Sequence, residues 1–502
     1  MDAIMTDSAP APYVSPLQRI PLEVLLRITH FLTTPELCKL RLACRSIERS
    51  LYETFTAEFF SRKQFMITHD SLQALVDISK TRLRYHVLTV QFGLECYPDG
   101  LSRPLASTEQ ELEFRQRYAD QFALWHTGHH VDMMTEAFRN LPNLDGVVIR
   151  SYNSNRRTRD GYGKEWTSYG ATTAFEATGM QMARSTTGVQ DWHGSGAGKQ
   201  HRASQVFYAV VAAAAKASRD GPGLKSIEIL TQNRGGQLRD FAFNIPFFLE
   251  QDYIRLLSGL EKLHLCIDLA WRNASAPRGA TTRPTLDLQI RRFLGKCPNL
   301  KDLRINEVTS HDSSTTDLLM WLSVTPEDAE KFTLPFPEAP ITFPHLEELS
   351  LGHLEIQSEV LIEILDKLSS SLKRLQMRKL TLFCPDPPPY HDANEAEIPD
   401  SDVMMSATPW TRMFEFMMDL DHLNLRHIKI ESPFMTFRGS VSHFQVYFAG
   451  SSGLGVEYTG SDWKHFLRST MPNIMFNMPR RRRRTDFGNN GMVLTTINSS
   501  SC

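Results

Sequence analysis

Three stretches carry residue types that could do chemistry. His193-Gly194-Ser195-Gly196-Ala197-Gly198-Lys199-Gln200 has the glycines and the lysine of a phosphate-binding loop. Such a loop follows a strand, cups phosphate with backbone N–H groups, and needs Gly at its first position and a Mg²⁺-ligating Ser or Thr after the Lys. Here those positions hold His193 and Gln200, and no apolar strand precedes them. The G-x-G-x-x-G frame fails as well, because Lys199 closes it from Gly194 and His201 from Gly196. The stretch reads as loop, and no cofactor is expected. His126, His129 and His130 lie close enough to suggest a metal, yet no Asp, Glu or Cys stands at a recognisable ligand spacing, so surface histidines at a helix–turn boundary are expected. Arg480–Arg484 repel one another and should stay solvated, as a nuclear-import signal, a site for an acidic partner or a plain basic tail. No G-x-S-x-G, H-E-x-x-H or kinase-like constellation occurs, so the chain is expected not to be an enzyme.

Composition narrows the class. At 502 residues and 41% hydrophobic content a sizeable core is available, and a net charge of −2 with a pI near 6.8 excludes whole-molecule affinity for nucleic acid or anionic membrane. Seven cysteines without a C-x-x-C pair read as reduced thiols used as small hydrophobes. The start of the chain lacks the basic and then apolar stretch of a signal peptide, and the apolar run Val206–Ala215 is too short to cross a bilayer. A soluble protein of the cytoplasm, the nucleus or both is expected.

The elements that would position any site are repeats. After Phe60 a helical stretch is repeatedly followed by L-x-x-L-x-L with strand-like alternation at its end. The instances are Leu144-Val147-Ile149, Leu224-Ile227-Ile229, Leu260-Leu263-Leu265, Leu300-Leu303-Ile305, Leu346-Leu349-Leu351, Leu372-Leu375-Met377 and Leu425-Ile428-Ile430, with a poorer copy at His86–Phe92. One helix and one short strand per unit, stacked side by side, is the leucine-rich-repeat arrangement. The spacing is irregular, with 26 to 80 residues between successive first leucines. Three interruptions, 150–202, 271–284 and 384–409, are poor in aliphatic periodicity and read as exposed or disordered insertions. They could be neutral insertions or places where a partner is read.

Ahead of the repeats, residues 1–15 read as disordered and 16–60 as three helices, the first with Pro21 in its first turn and running to about Leu32, and the second capped by Thr34. The first helix, with Ile20, Leu22, Val24, Leu25, Leu26, Ile28, Phe31 and Leu32, has more apolar surface than one buried stripe needs. This stretch resembles an F-box. Family members carry Leu-Pro-x-Glu-hydrophobic-Leu, then Ile and Leu a turn apart, then Asp-Leu and Val-Cys-Arg/Lys. Here these are Ile20-Pro21-Leu22-Glu23-Val24-Leu25, Ile28, Leu32, Glu36-Leu37, Leu40 and Ala43-Cys44-Arg45, with Ile20, Glu36 and Ala43 as conservative departures. The resemblance implies an SCF-type cullin–RING ubiquitin ligase, whose small adaptor would dock through Pro21, Leu22, Leu25, Ile28, Leu32, Leu37, Leu40 and Cys44. The repeats, 61–478, would hold a target protein. The alternative is a leucine-rich-repeat scaffold whose N-terminal helices only cap it.

In summary form the expectation is an α/β chain: a small N-terminal three-helix F-box, an irregular leucine-rich-repeat-like solenoid with loop insertions, and a basic tail at 479–502. Period-2 alternation sends the motif leucines inward. It predicts an exposed polar row of Glu228, His264, Arg304, Ser350, Gln376 and Lys429, flanked by Lys262, Asp302, Glu348, Arg374 and His427, as the candidate target-binding face. Its mixed charge suits a protein partner better than lipid or nucleic acid.

Overall fold

A computed structural model of the protein describes residues 16–98, 105–153, 159–161, 167–184, 202–221, 223–231, 237–269, 287–307, 316–328, 339–385, 403–438, 442–448 and 454–478. The glycine-rich 193–200, the 271–284 insertion, residues 1–15 and Arg480–Arg484 lie outside these. The chain forms two compact units, residues 1–318 with 325–347, and residues 319–324 with 348–502.

The first unit opens with helices Leu22–His30, Thr34–Ala43 and Arg45–Phe59. The cap of the second is Thr33, one residue before the expected Thr34. Glu36 selects it by accepting both the Thr33 N–H and the Thr33 hydroxyl at 2.8 Å. Leu25, Leu37, Ile47, Leu51 and Phe59 make a small core of the helices' own residues, against which Ile20, Leu32, Leu40, Cys44 and Phe55 pack.

Six parallel strands follow in the same unit: Arg62–Phe65, Thr89–Gly93, Gly146–Arg150, Ser226–Leu230, Lys262–Ile267 and Asp302–Glu307, adjacent in chain order. Parallel neighbours need long crossovers. The helices His69–Ser79, His129–Asn140, Arg202–Ala217, Glu250–Ser258 and Leu288–Leu294 lie between consecutive strands. Val147, Ile227, Leu263 and Leu303 stand side by side in register and are buried. The strands therefore fall where the L-x-x-L-x-L pattern places them, in a leucine-rich-repeat-like α/β arrangement.

The second unit repeats the theme with Glu348–Gly352, Arg374–Arg378 and His427–Glu431 in parallel, and then Gly455–Thr459 antiparallel to the last. It also holds a second sheet that the repeat pattern does not anticipate. Glu355–Gln357, Thr381–Cys384 and Phe434–Phe437 run parallel, and Phe444–Phe448, Ile474–Met478 and Val403–Ser406 extend them antiparallel. Each parallel rung turns from the first sheet into the second at a left-handed residue: His353 (φ 57°), Lys379 (φ 49°) and Ser432 (φ 48°). Their N–H groups donate to the carbonyls of Arg378, Glu431 and Leu454, so the corners are laddered as the strands are. A side chain in this region costs roughly 1–2 kcal/mol. Ser432→Gly is thus expected to raise the unfolding free energy of this unit by about 0.5–1 kcal/mol, after the extra unfolded-state entropy of glycine is subtracted. A urea titration of the two proteins checks this.

Two expected insertions are partly built into the fold. Within 150–202, the helix Ala171–Thr178 buries Ala174 and Thr178, Ser168 is buried, and Ala183–Arg184 pairs with Glu95–Cys96. Within 384–409, Cys384 ends one strand, Val403–Ser406 forms another, and Thr408 starts the helix Thr408–Asp419. The helix Thr108–His126 also goes unsignalled, because its apolar residues form no single stripe: Phe114 and Leu124 are buried while Leu112 and Phe122 are exposed.

Candidate functional site

The eight residues expected to meet an adaptor divide into two sets. Leu25 and Leu37 are core residues of the helical unit, and Leu32, Leu40 and Cys44 pack against them. Burial of Leu25 and Leu37 in that core corrects their assignment as contact residues, whereas Leu32, Leu40 and Cys44 are half-buried and keep part of their surface outside it. Pro21, Leu22 and Ile28 face outward. Beside them in the sequence Val24 is 46% exposed, Phe31 88% and Leu42 85%. Exposed aliphatic and aromatic side chains are what a protein contact uses. Val24, Phe31 and Leu42 were not in the expected set, since periodicity marks which residues are apolar but not which side of a three-helix unit is already occupied.

The polar row is in register within each unit. Glu228 stands beside His264 and His264 beside Arg304, while Ser350, Gln376 and Lys429 form a second line. The expectation that all are exposed fails: His264 and Ser350 are buried, and Glu228, Arg304, Gln376 and Lys429 are half-buried. Neighbouring strands lie about 4.8 Å apart, so charges on successive rungs pair sideways instead of pointing to solvent. The His264 Nε2 is 2.9 Å from both Asp302 oxygens, and its Nδ1 is 3.4 Å from Glu228 Oε2. Lys262 Nζ is 3.2 Å from Glu228 Oε1 and 3.9 Å from Asp302 Oδ2. In the second unit Glu348 accepts from Arg374 Nε at 2.7 Å and from Gln376 Nε2 at 2.9 Å. Lys429 Nζ lies 2.9 Å from Glu431 and 3.4 Å from Glu457, and His427 Nδ1 lies 3.0 Å from the Thr459 hydroxyl.

Burial opposes the Glu228 charge, but His264 and Lys262 outweigh it and bring the carboxyl from its ordinary 4.5 down to about 2. A lowered carboxyl contributes stability that is complete above pH 4.5 and is lost as pH falls through about 2. Glu228→Gln should therefore flatten the acid limb of stability between those values, by on the order of 2–3 kcal/mol. Urea midpoints for both proteins at pH 7, 4 and 3 measure it.

The three clustered histidines go three ways. His126 is exposed and stacks on Phe122, and His129 faces His69. His130 is buried rather than on the surface: its ring meets Trp125 at a tilt, 4.2 Å between centroids, it bonds to the Leu124 carbonyl at 2.9 Å, and burial lowers its pKa. Among the described residues no group of three His, Cys, Asp or Glu side chains could hold a metal. A cavity of about 1070 Å³ lies near His69 and His129. Arg117, which lines it, is taken by Glu113 at 2.6 Å and Asp70 at 3.0 Å. Among the described residues no helix is long and apolar enough to cross a membrane.

No protein-family model and no curated protein matches the sequence. Among solved structures, the chain is similar to the leucine-rich repeat-containing protein LegL7 from Legionella pneumophila, at 11% identity and a TM-score of 0.24, over 78% of this chain and 95% of that one.

Proposed function

We propose that this chain is the substrate-recognition subunit of an SCF-type cullin–RING ubiquitin ligase. Its N-terminal helices dock the adaptor, and its repeats hold a target protein for ubiquitin transfer by another enzyme. The observation that carries this reading is the exposure of Leu22, Val24, Ile28, Phe31 and Leu42 on a helical unit whose own core is filled by other residues. The F-box-like order of residues from Ile20 to Arg45 supplies the identity of the partner. The paired sheet face supports the target-binding half less directly, since a partner there must displace or extend existing ion pairs. No catalytic group is assigned to this chain.

The test is direct. Purified chain should bind purified adaptor with submicromolar affinity and pull the cullin with it; absence of binding by the intact chain refutes the docking assignment. The competing reading, a scaffold whose helices only cap the repeats, draws support from the position of the third helix, which leads straight into the edge strand Arg62–Phe65. Under that reading removal of residues 1–60 unfolds the remainder, whereas a docking unit leaves it folded.

A further inference from the structure

We propose that the cleft near His69 and His129 holds a lysine- or arginine-bearing segment of the target protein. The proposal deepens the target-holding half of the reading above and rests on it. The cleft measures about 1070 Å³. It is built by four helices of the first unit, His69–Ser79, Thr108–His126, His129–Asn140 and Ala171–Thr178, together with Met66, Tyr97 and Tyr169. Pockets for single small molecules run to roughly 300–1,000 Å³, so this one takes several residues of a chain rather than one side chain. Met66, Tyr97, Leu124 and Ala174 form its floor, each at most 4% exposed.

The rim is acidic, and the fold makes no use of half of its charge. Among the described residues four aspartates and one arginine line the cleft. Arg117 is committed to Glu113 and Asp70, and Asp132 meets Lys216 at 3.4 Å. Asp77 and Asp120 are left with neutral partners. Asp77 accepts from Gln73 Nε2 at 2.8 Å and Asp120 from Gln116 Nε2 at 3.0 Å, each one turn back on its own helix and exposed. An asparagine would accept the same bonds, so neither helix needs the charge. Asp77 even stands in the last turn of its helix, where the helix dipole disfavours a negative charge. Nor do these acids form a metal site, since among the described residues no group of three ligand side chains could hold one.

A basic side chain matches both parts of the cleft. Lysine and arginine lay their methylene stems on apolar surface and keep the charged head at a polar edge. The floor thus takes the stem, and Asp77 and Asp120 take the head in charge-assisted hydrogen bonds. The rest of the floor takes apolar neighbours of the basic residue, which a polypeptide has and a free polyamine lacks.

The experiment titrates the full chain with a fluorescein-labelled peptide, Gly-Leu-Arg-Lys-Leu-Arg-Gly, at physiological salt. The expected result is saturable binding that slows amide exchange in the helices His69–Ser79 and Thr108–His126. Binding should weaken by about tenfold or more when glutamine replaces the basic residues of the peptide, and equally in Asp77→Asn/Asp120→Asn. That variant should keep its urea midpoint or raise it. Glu415→Gln/Asp421→Asn, which removes the same charge from exposed positions of the second unit, should bind as the wild type does. Absence of saturable binding, equal binding of the two peptides, or equal loss in the two variants overturns the proposal, and so does spermine bound as tightly as the peptide. If Asp77→Asn/Asp120→Asn fails to fold, Asp132→Asn decides: weakened binding supports the cleft, and anything else overturns it. Peptide binding by a chain that never binds adaptor supports the cleft and refutes only the adaptor reading, whereas adaptor binding without peptide binding refutes only the cleft.

Discussion

Ile28→Asp with Phe31→Asp is expected to weaken adaptor binding by more than about 100-fold while leaving the helices folded. Phe31 is 88% exposed and Ile28 38%, so the substitutions cost the free chain less than a core change would; each buried anchor lost from the complex is worth about 1.5–3 kcal/mol, and two together exceed the roughly 2.7 kcal/mol of a hundredfold change. The contrast with Leu25→Ala and Leu37→Ala makes the result specific. Those residues fill the small core, and their truncation should cost about 2–5 kcal/mol of folding free energy. They would abolish binding by melting the helices. Titration calorimetry with adaptor, read beside circular dichroism of each free variant, separates the two routes. Full affinity in the outward double variant would remove the exposed surface from consideration as the docking site.

Arg291→Leu is expected to destabilise the first unit by about 3–5 kcal/mol, the cost of leaving a buried carboxylate without its partner. Asp287 and Arg291 are four residues apart, their side chains are 0% and 2% exposed, and Asp287 Oδ2 accepts from Arg291 Nε at 2.7 Å and Nη2 at 2.5 Å. Burial raises the Asp287 pKa even beside the guanidinium, which marks how poorly this site tolerates a lone charge. Replacing both residues with leucine should recover most of the loss, because it removes the charge along with its partner. Urea unfolding of the single and double variants measures the difference. A single variant within about 1 kcal/mol of wild type would show that the pair is hydrated in solution.

The repeat strands were legible because their signal is redundant. In each rung a leucine enters the turn and two more apolar residues alternate inward, as at Leu260, Leu263 and Leu265, so insertions between rungs do not hide the pattern. The second sheet was not legible. Its parallel strands are three or four residues long, and its corners use His353, Lys379 and Ser432 where glycine would have announced a left-handed turn. The N-terminal helices were readable as apolar and helical, but the division of Leu25 and Leu37 from Ile28 and Phe31 depends on how three helices meet. Nor does the spacing of Asp77, Asp120 and Asp132 point to one cleft, since only the fold brings their three helices together.

The reversed strand Gly455–Thr459 limits how far the molecule can grow. A parallel rung offers its outer edge to another rung of the same kind, and a stack that ended on one would invite a second copy to continue it. Here the last parallel rung, His427–Glu431, is covered by a strand running the other way, and Gly455 lies so close that a Cβ would meet the Ile430 carbonyl at 2.4 Å. The strand is five residues long, carries Glu457, and packs with the helix Trp463–Thr470 through Tyr458 stacked on Phe466. The edge left to the solvent thus belongs to a short, charged, oppositely directed strand, and the second unit is built to end there instead of serving as the template for a fibre.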